Sequence, residues 1–261
     1  MFGRIGKIRK KEFFPSGGFY YRVSGHGKPQ PLLFLHGLGG SPYSFKAVIE
    51  LLSRKFFVVA PYMSAKWEKY KIRDFSDSNF EILADFLARL IDELKIEKPI
   101  VVGYSMGGLL AVKLAVKYPE KIKGLVIVDG LVITPNKTLW QLARLFFGKT
   151  TKRIFTVKGF KTFIGKYLDF MKNISFHPLV FINQAIYCSK ADEECRICNL
   201  DTRTLILWGD KDKLLPLELA LKMKNIIKNS ELEKVEGGDH LWGISNPEIL
   251  FEKVAKFSED L

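Results

Sequence analysis

Short runs of β-branched and aromatic residues recur along the chain, and each leads into a segment whose apolar residues have helical spacing. This alternation predicts βαβ units and a mostly parallel sheet. Several runs are apolar throughout rather than alternating, which is expected of strands that are covered by helices on both faces. The predicted strands are Phe19–Val23, Leu32–Leu35, Phe56–Ala60, Ile100–Gly103, Leu125–Val128, Leu205–Trp208 and Leu232–Val235.

Helices are predicted where apolar residues fall three and four positions apart, most clearly after Asp77. Ser41 is a capping residue, and the proline that follows it suits the first position of a helix. The predicted helices are Pro42–Leu52, Asp77–Leu94, Leu109–Tyr118 and Pro247–Phe257.

An insertion interrupts this pattern between the predicted strands Leu125–Val128 and Leu205–Trp208. About 75 residues separate the two strands, far more than one crossover helix needs. The insertion begins after Asp129-Gly130 and ends near Asn199. We therefore expect residues 1–130 and 200–261 to form the core, and residues 131–199, here called the insertion, to form a separate cap.

Composition suits one core plus an insertion, because the 261 residues are 47% hydrophobic and 26% charged. The formal net charge is +13, and much of it lies between Leu131 and Lys190, where ten basic residues and eleven aromatic residues accompany one acidic residue, Asp169. Two interpretations stay open: a helical cover with solvated lysines, or a surface that contacts anionic lipid. No nucleic-acid-binding module is present, so nucleic acid is not expected as a partner.

The sequence predicts neither a membrane span nor a disulfide framework. The longest apolar stretch, Ile100–Val112, is shorter than the roughly 20 residues that cross a bilayer. The basic N-terminus is followed by no apolar signal region, so we expect a cytoplasmic protein. The three cysteines, Cys188, Cys195 and Cys198, are expected to be thiols. Cys195 and Cys198 have the spacing of a redox motif or half a metal site, but no second pair follows. We expect no metal and no cofactor.

A G-x-S-x-G motif joins a predicted strand to a predicted helix. Gly103, Ser105 and Gly107 form it, and such a turn holds the serine in a strained backbone conformation with its hydroxyl exposed. The glycines leave room for neighbouring backbone. Ser105 is therefore the candidate nucleophile, and the N–H of Met106 is positioned to bind an oxyanion.

A second glycine-rich loop, His36-Gly-Leu-Gly-Gly40, follows the predicted strand Leu32–Leu35. Its backbone, with Gly37 and Gly39, can supply a second N–H donor, which we assign to Leu38. His36 is expected to make hydrogen bonds within the loop rather than to transfer protons.

Two further loops supply a carboxylate and a base. Asp210 and Asp212 follow the strand Leu205–Trp208, and His240 ends a glycine turn after the last predicted strand. A serine hydroxyl needs a histidine to take its proton and a carboxylate to orient that histidine. The order of nucleophile, acid and histidine along the chain is typical of one of the several folds that carry this triad.

Together these motifs resemble the α/β-hydrolase fold superfamily, and in particular its small, lid-bearing, esterase- and lipase-like serine hydrolases. The resemblance covers nearly the whole chain. It implies a doubly wound, mostly parallel sheet with a helical cap inserted after the sixth core strand. It also selects Asp212 rather than Asp210 as the acid, because the family's acid lies three residues after the glycine that ends the strand. Some members place the acid after the preceding strand, which would select Asp129.

The resemblance implies hydrolysis of a small-molecule carboxylic ester through Ser105, His240 and Asp212. The apolar insertion favours a hydrophobic acyl chain, as in a carboxylesterase or a monoacylglycerol lipase. The chain lacks the Asp-x-x-Gly-x-Gly turn of many relatives after Phe56–Ala60, so no subfamily is assigned. Two alternatives remain: hydrolysis of a carbon–carbon bond in a vinylogous diketone, with Arg144 or Arg153 holding a carboxylate, and ligand binding without turnover.

Overall fold

The computed structural model describes residues 12–13, 20–63, 77–133, 178–189 and 193–261. Within these residues, eight strands form one sheet. The strands are β1 (Glu12–Phe13), β2 (Tyr20–Ser24), β3 (Gln30–Leu35), β4 (Phe56–Pro61), β5 (Ile100–Tyr104), β6 (Gly124–Val128), β7 (Thr204–Gly209) and β8 (Ser230–Val235).

The spatial order of the strands is β1-β2-β4-β3-β5-β6-β7-β8. β2 pairs antiparallel with both β1 and β4, whereas β4, β3, β5, β6, β7 and β8 are all parallel. The order reverses direction after β3, because β4 lies on one side of β3 and β5 on the other. At such a reversal the loops that follow the strands diverge and leave a crevice at the carboxyl edge of the sheet.

Helices cover both faces of this sheet, and each face has its own apolar core. The helices are α1 (Lys46–Leu52), α2 (Asp77–Glu93), α3 (Met106–Lys117), α4 (Pro178–Cys188), α5 (Glu194–Ile197), α6 (Leu217–Ile226), α7 (Trp242–Ser245) and α8 (Pro247–Phe257). One core packs against α2, α3 and α6, and the other packs against α1, α7 and α8. The predicted doubly wound, mostly parallel α/β fold is confirmed. No helix among the described residues is both long and apolar enough to cross a bilayer.

The prediction for the start of α1 is wrong by four residues. The helix begins at Lys46 rather than at Pro42. Ser41 does act on the following backbone, but its hydroxyl accepts the N–H of Tyr43 (3.1 Å), while its own N–H donates to the hydroxyl of Ser44 (3.3 Å). These bonds between side chain and backbone stabilise a turn at residues 41–44, in place of the first hydrogen bonds of a helix.

The helix after the G-x-S-x-G motif begins earlier than the pattern predicts. Its first residue is Met106, directly after Ser105, whereas the apolar spacing starts at Leu109. Gly107 and Gly108 occupy the first turn, and glycine carries no periodic signal that could extend the prediction toward the serine.

The insertion leaves and re-enters the core at one place. The N–H of Glu193 donates to the carbonyl oxygen of Val132 (3.0 Å), so the two ends of the intervening segment lie side by side. Lys113, on α3, has a fully buried side chain that pairs with Glu193 (2.7 Å) and with Glu81 of α2 (3.1 Å). The junction is therefore anchored to the helix that begins beside Ser105.

Part of the insertion is helical, as α4 and α5 show, and α4 packs on α2 by stacking Tyr187 on Phe80 (4.3 Å between ring centroids). Most of the basic and aromatic residues that define the insertion's composition lie outside the described residues, and Arg144 and Arg153 are among them. The predicted helical cap, its boundaries at 131 and 199, and its contact with anionic lipid therefore stay predictions.

Candidate active site

Ser105 lies in a strained turn at the carboxyl end of β5. Its φ is +55° and its ψ is −117°, a conformation that L-residues rarely adopt. Glycines are required on both sides, because a Cβ on Gly103 would lie 2.4 Å from the carbonyl oxygen of Gly107, and a Cβ on Gly107 would lie 2.1 Å from that of Leu35. The G-x-S-x-G spacing is therefore a consequence of backbone packed against backbone.

Replacing Gly107 with alanine is expected to destabilise the fold by about 3 kcal/mol, because neither Leu35 nor the turn can move without displacing a central strand. Helix propensity alone would make the alanine variant about 1 kcal/mol more stable than wild type. A net loss of stability therefore reports the steric clash of the added Cβ. Gly237→Ala is the matched control. Unlike Gly107, it sits at positive φ (+68°), but a Cβ there would meet no atom within 4 Å, so the substitution should cost only about 1 kcal/mol. Urea denaturation measures the free energy of unfolding of each variant. Equal losses of stability in the two variants would contradict the packing argument.

A continuous chain of hydrogen bonds links Ser105, His240 and Asp212. The Nε2 atom of His240 lies 3.0 Å from the Oγ of Ser105, and its Nδ1 lies 2.7 Å from the Oδ2 of Asp212. The three residues come from the loops after β5, β7 and β8, which meet at the carboxyl edge of the sheet. The structure thus brings together the three residues that the sequence nominates as nucleophile, base and acid.

Asp212 is held in place by its own loop. Its Oδ1 accepts the N–H groups of Leu214 (2.8 Å) and Leu215 (3.0 Å), which leaves Oδ2 directed at His240. The Asp212 side chain is fully buried, and that of His240 is 11% exposed. Asp210, the other carboxylate of the loop, makes no hydrogen bond to His240.

The acid loop and the histidine loop pack directly on each other. A Cβ on Gly209 would lie 2.4 Å from the carbonyl oxygen of Gly238, and the N–H of Lys211 donates to that same oxygen (2.8 Å). Two glycines at this contact bring the backbones close enough to place Asp212 against His240. The short glycine motifs before the two residues therefore have a common structural cause.

Tyr104 also supports the site, although the sequence analysis did not single it out. It is buried at the end of β5, and its hydroxyl donates to the backbone carbonyl of His240 (2.8 Å). This bond ties the residue before the nucleophile to the histidine loop. The sequence does carry a sign of this role, because Tyr104 is the one polar side chain in the otherwise apolar strand β5.

The glycine-rich loop after β3 lies against the Ser105 turn. A Cβ on Gly37 would be 3.2 Å from the Cβ of Ser105. Met106 is the first residue of α3, where a helix leaves its N–H groups without intrahelical acceptors. Among the described residues, the N–H groups of Leu38 and Met106 donate to no backbone acceptor outside the helices and strands. Their assignment to an oxyanion hole stays a prediction.

His36 shapes this loop. Its Nδ1 lies 2.9 Å from the carbonyl oxygen of Gly37, and its Nε2 accepts the N–H of Met63 (2.9 Å). These partners require a neutral ring with the proton on Nδ1. The side chain is fully buried, so His36 joins the loop to the segment after β4, and Gly39 completes the turn at φ +68°.

Asp129, the alternative acid, lies close to the triad but does not contact His240. Its Oδ1 accepts the N–H of Gly209 (2.8 Å), and its Oδ2 has no donor in hydrogen-bonding geometry among the described residues. The residue is fully buried with φ +42°. Burial raises the pKa of its carboxyl well above the usual range; His240 offsets part of this, and repulsion from Asp212 adds to it. A raised pKa favours the neutral carboxyl, which balances an imidazolium less well than a carboxylate does.

The histidine titrates above its ordinary range. Burial lowers the pKa of His240, but the charge and hydrogen bond of Asp212, with smaller effects of the charges of Asp129 and Asp239, raise it above 6.5 overall. His240 can accept a proton only when neutral, so any reaction that uses it as a base should lose rate as the pH falls through this raised pKa. We expect the acidic limb of a kcat/KM–pH profile to have a midpoint above 6.5, and Asp239→Asn to move it downward. A midpoint at or below 6.5 would contradict this electrostatic account.

Asp129, Asp212 and His240 also form the one group of potential metal-binding side chains among the described residues, with donor atoms within 4.8 Å of one another. Both ring nitrogens of His240 are engaged by Ser105 and Asp212, so the arrangement suits proton transfer. All three cysteines are free thiols: Cys195 and Cys198 are exposed, and burial raises the pKa of the Cys188 thiol to about 12.

Known proteins share this architecture. A sequence model of the alpha/beta hydrolase fold matches residues 30–157. A pimeloyl-(acyl-carrier protein) methyl ester esterase from Wigglesworthia glossinidia brevipalpis is 24% identical over 92% of this chain and 96% of its own. A 2-hydroxy-6-oxononadienedioate/2-hydroxy-6-oxononatrienedioate hydrolase from Pseudomonas putida is 26% identical over 82% of each chain. A solved meta-cleavage product hydrolase from Pseudomonas fluorescens IP01 has a TM-score of 0.76 at 22% identity, covering 97% of this chain and 98% of its own.

The fold and the site define an α/β protein in which a serine, a histidine and a carboxylate meet at the carboxyl edge of a doubly wound sheet. The chain has the α/β-hydrolase fold, and the resemblance drawn from its motifs is confirmed.

Proposed function

We propose that this protein is a serine hydrolase that cleaves small carboxylic esters with a hydrophobic acyl chain. The observation that carries the proposal is the unbroken hydrogen-bond chain from Ser105 through His240 to Asp212. A serine hydroxyl bonded to a carboxylate-oriented imidazole is the arrangement that makes it a nucleophile at neutral pH.

In the proposed reaction, the Oγ of Ser105 attacks the ester carbonyl carbon while Nε2 of His240 takes the hydroxyl proton. The N–H groups of Leu38 and Met106 hold the oxyanion. The tetrahedral intermediate then breaks its bond to the alcohol oxygen, which receives the proton from His240. Water adds to the resulting acyl-Ser105, again giving its proton to His240, and the acid leaves as Ser105 regains its hydrogen.

Two features support an uncharged, apolar substrate. The charged groups that raise the pKa of His240 include the carboxylates of Asp212 and Asp239, so the field at the site disfavours an anion near the histidine. Leucines adjoin the loops that carry the site: Leu38, Leu214 and Leu241, of which Leu241 is 39% exposed. An acyl chain can bury apolar surface against such side chains.

Purified wild-type protein and Ser105→Ala should be assayed against p-nitrophenyl esters from acetate to palmitate. We expect serine-dependent turnover with an optimum at an acyl chain longer than acetate. A rate that falls steadily with chain length would contradict the hydrophobic acyl preference. No turnover at any length from folded protein would contradict ester hydrolysis, and ligand-induced thermal stabilisation without product would then favour a binding protein.

Hydrolysis of a carbon–carbon bond is the second candidate. Two of the proteins similar to this chain are named as hydrolases of keto acids rather than of esters: the Pseudomonas putida oxo-dienedioate hydrolase and the Pseudomonas fluorescens meta-cleavage product hydrolase. The same nucleophile and histidine would serve it. A vinylogous diketone carboxylate should be included in the assay. Turnover of this compound at a higher kcat/KM than any ester would favour the second candidate.

A further inference from the structure

A second concave site lies at the opposite edge of the sheet from Ser105. Its cavity of about 820 Å³ is formed by the segments that precede β3, β5 and β6. Ligand-binding pockets commonly measure about 300–1,000 Å³. β5 runs from this edge to Ser105, and its five residues span roughly 16 Å, so the cavity does not share the residues of the candidate active site.

Lysines surround this cavity. Five contribute to its lining: Lys28, Lys95, Lys98, Lys121 and Lys123. The ammonium group of Lys121 is neutralised by Asp92 (2.5 Å), and that of Lys123 donates to the neutral amide oxygen of Gln30 (3.2 Å). Within the part of the chain that the structure describes, the other three have no ion-pair partner.

The balance of charge at the cavity is therefore positive. Because Lys121 is paired with Asp92, the lining retains four other ammonium groups and one other carboxylate, that of Glu97. Like charges held around one concavity repel each other, and an anion bound among them relieves the repulsion. The cavity complements a negative charge.

Two of these lysines, Lys95 and Lys98, have a left-handed backbone conformation, which glycine adopts more easily than lysine does. The φ of Lys95 is +50° and that of Lys98 is +40°. Lys95 ends α2 in the left-handed position where glycine or asparagine is preferred, and the N–H of Ile96 bonds back to the carbonyl oxygen of Ile91 (2.9 Å). Both left-handed positions belong to the lining of the same cavity.

The rest of the lining is apolar. Phe57, Leu94 and Ile96 contribute to it, together with Pro29 and Pro31. A small inorganic anion would leave this surface uncovered, whereas a ligand with an anionic head and a hydrocarbon body would cover it while its head meets the lysines.

We propose that this cavity binds an amphiphilic organic anion, with a carboxylate or phosphate head held by Lys95 and Lys98 and an apolar body lying along Phe57 and Leu94. The site is separate from Ser105 and does not depend on the proposed hydrolase activity.

Binding is tested by titrating the full-length, isotope-labelled protein and following its backbone amide NMR signals. The probes are decanoate, decyl phosphate, decanol and inorganic phosphate. We expect decanoate or decyl phosphate to shift the signals of residues 95–98 and 121–123 saturably, and decanol and inorganic phosphate to bind at least tenfold more weakly. Comparison of the two anionic probes distinguishes a carboxylate from a phosphate ligand.

Lys95→Gly/Lys98→Gly separates binding from folding. Glycine relaxes both left-handed positions, so the variant should melt no lower than wild type yet bind at least tenfold more weakly. The matched control, Lys228→Gln/Lys234→Gln, removes the same charge from lysines that do not line the cavity, and should bind like wild type. Equal binding by decanol, unchanged binding by the glycine variant, or shifts confined to the Ser105 and His240 loops would overturn the proposal.

Discussion

Ser105→Ala is expected to reduce kcat for the best ester substrate by about 10⁶-fold while the protein stays folded. The variant removes the atom that bonds to the acyl carbon, and among the described residues no other hydroxyl is hydrogen-bonded to the imidazole ring of His240. Loss of His240 should cost a similar factor, and the double variant should be little worse than either, because the two residues act as one unit.

The control for this prediction is Ser53→Ala, which removes a hydroxyl from the end of α1, where it donates to the carbonyl oxygen of Glu50 (2.8 Å). Its kcat should equal that of wild type. Ser105→Ala should also melt no lower than wild type, since Ser105 holds its strained turn through backbone bonds to Val128, Gly108 and Leu131 rather than through its side chain. Near-full turnover by folded Ser105→Ala would mean that another residue is the nucleophile.

Asp212→Asn should lower kcat by about 10⁴-fold. The N–H groups of Leu214 and Leu215 require an acceptor, so the asparagine oxygen would face them and its NH₂ group would face Nδ1 of His240. The ring would then carry its proton on Nε2, where it cannot accept the proton of Ser105. The loss arises from the wrong tautomer rather than from misfolding.

Asp129→Asn is the matched control for this substitution. An asparagine oxygen can still accept the N–H of Gly209, and the substitution removes no hydrogen bond to His240, whose ring nitrogens are bonded to Asp212 and Ser105. We expect its kcat to stay within a few-fold of wild type. If instead Asp129→Asn lost 10⁴-fold and Asp212→Asn did not, the acid would be the residue after β6, and the assignment of Asp212 would be wrong.

Much of the candidate site is predictable because the contacts that shape it lie close to Ser105 in sequence or in the adjacent strand. Gly103 and Gly107 are fixed by contacts within four residues of Ser105 or with the adjacent strand, so the motif alone specifies the turn. The central strands are equally visible, since β5, β6 and β7 are fully buried and read as continuous apolar runs.

Other features depend on contacts between distant segments. The nearness of Asp129 to Asp212 follows from β6 and β7 being neighbours in the sheet, and the hydrogen bond from Tyr104 to His240 joins residues 136 positions apart. The left-handed conformation of Lys95 carries no sequence signal, because glycine or asparagine would normally mark such a position. The start of α1 was mispredicted because Ser41 suits a turn as well as a helix cap.

The central claim is that Ser105 is a nucleophile activated by His240, and covalent labelling tests it most directly. Wild-type protein, Ser105→Ala and His240→Ala should each be treated with an alkyl fluorophosphonate, digested and sequenced by tandem mass spectrometry. We predict one adduct per chain, on Ser105, in the wild type alone. An unlabelled, folded wild-type protein, or an adduct on another residue that persists in Ser105→Ala, would contradict the account.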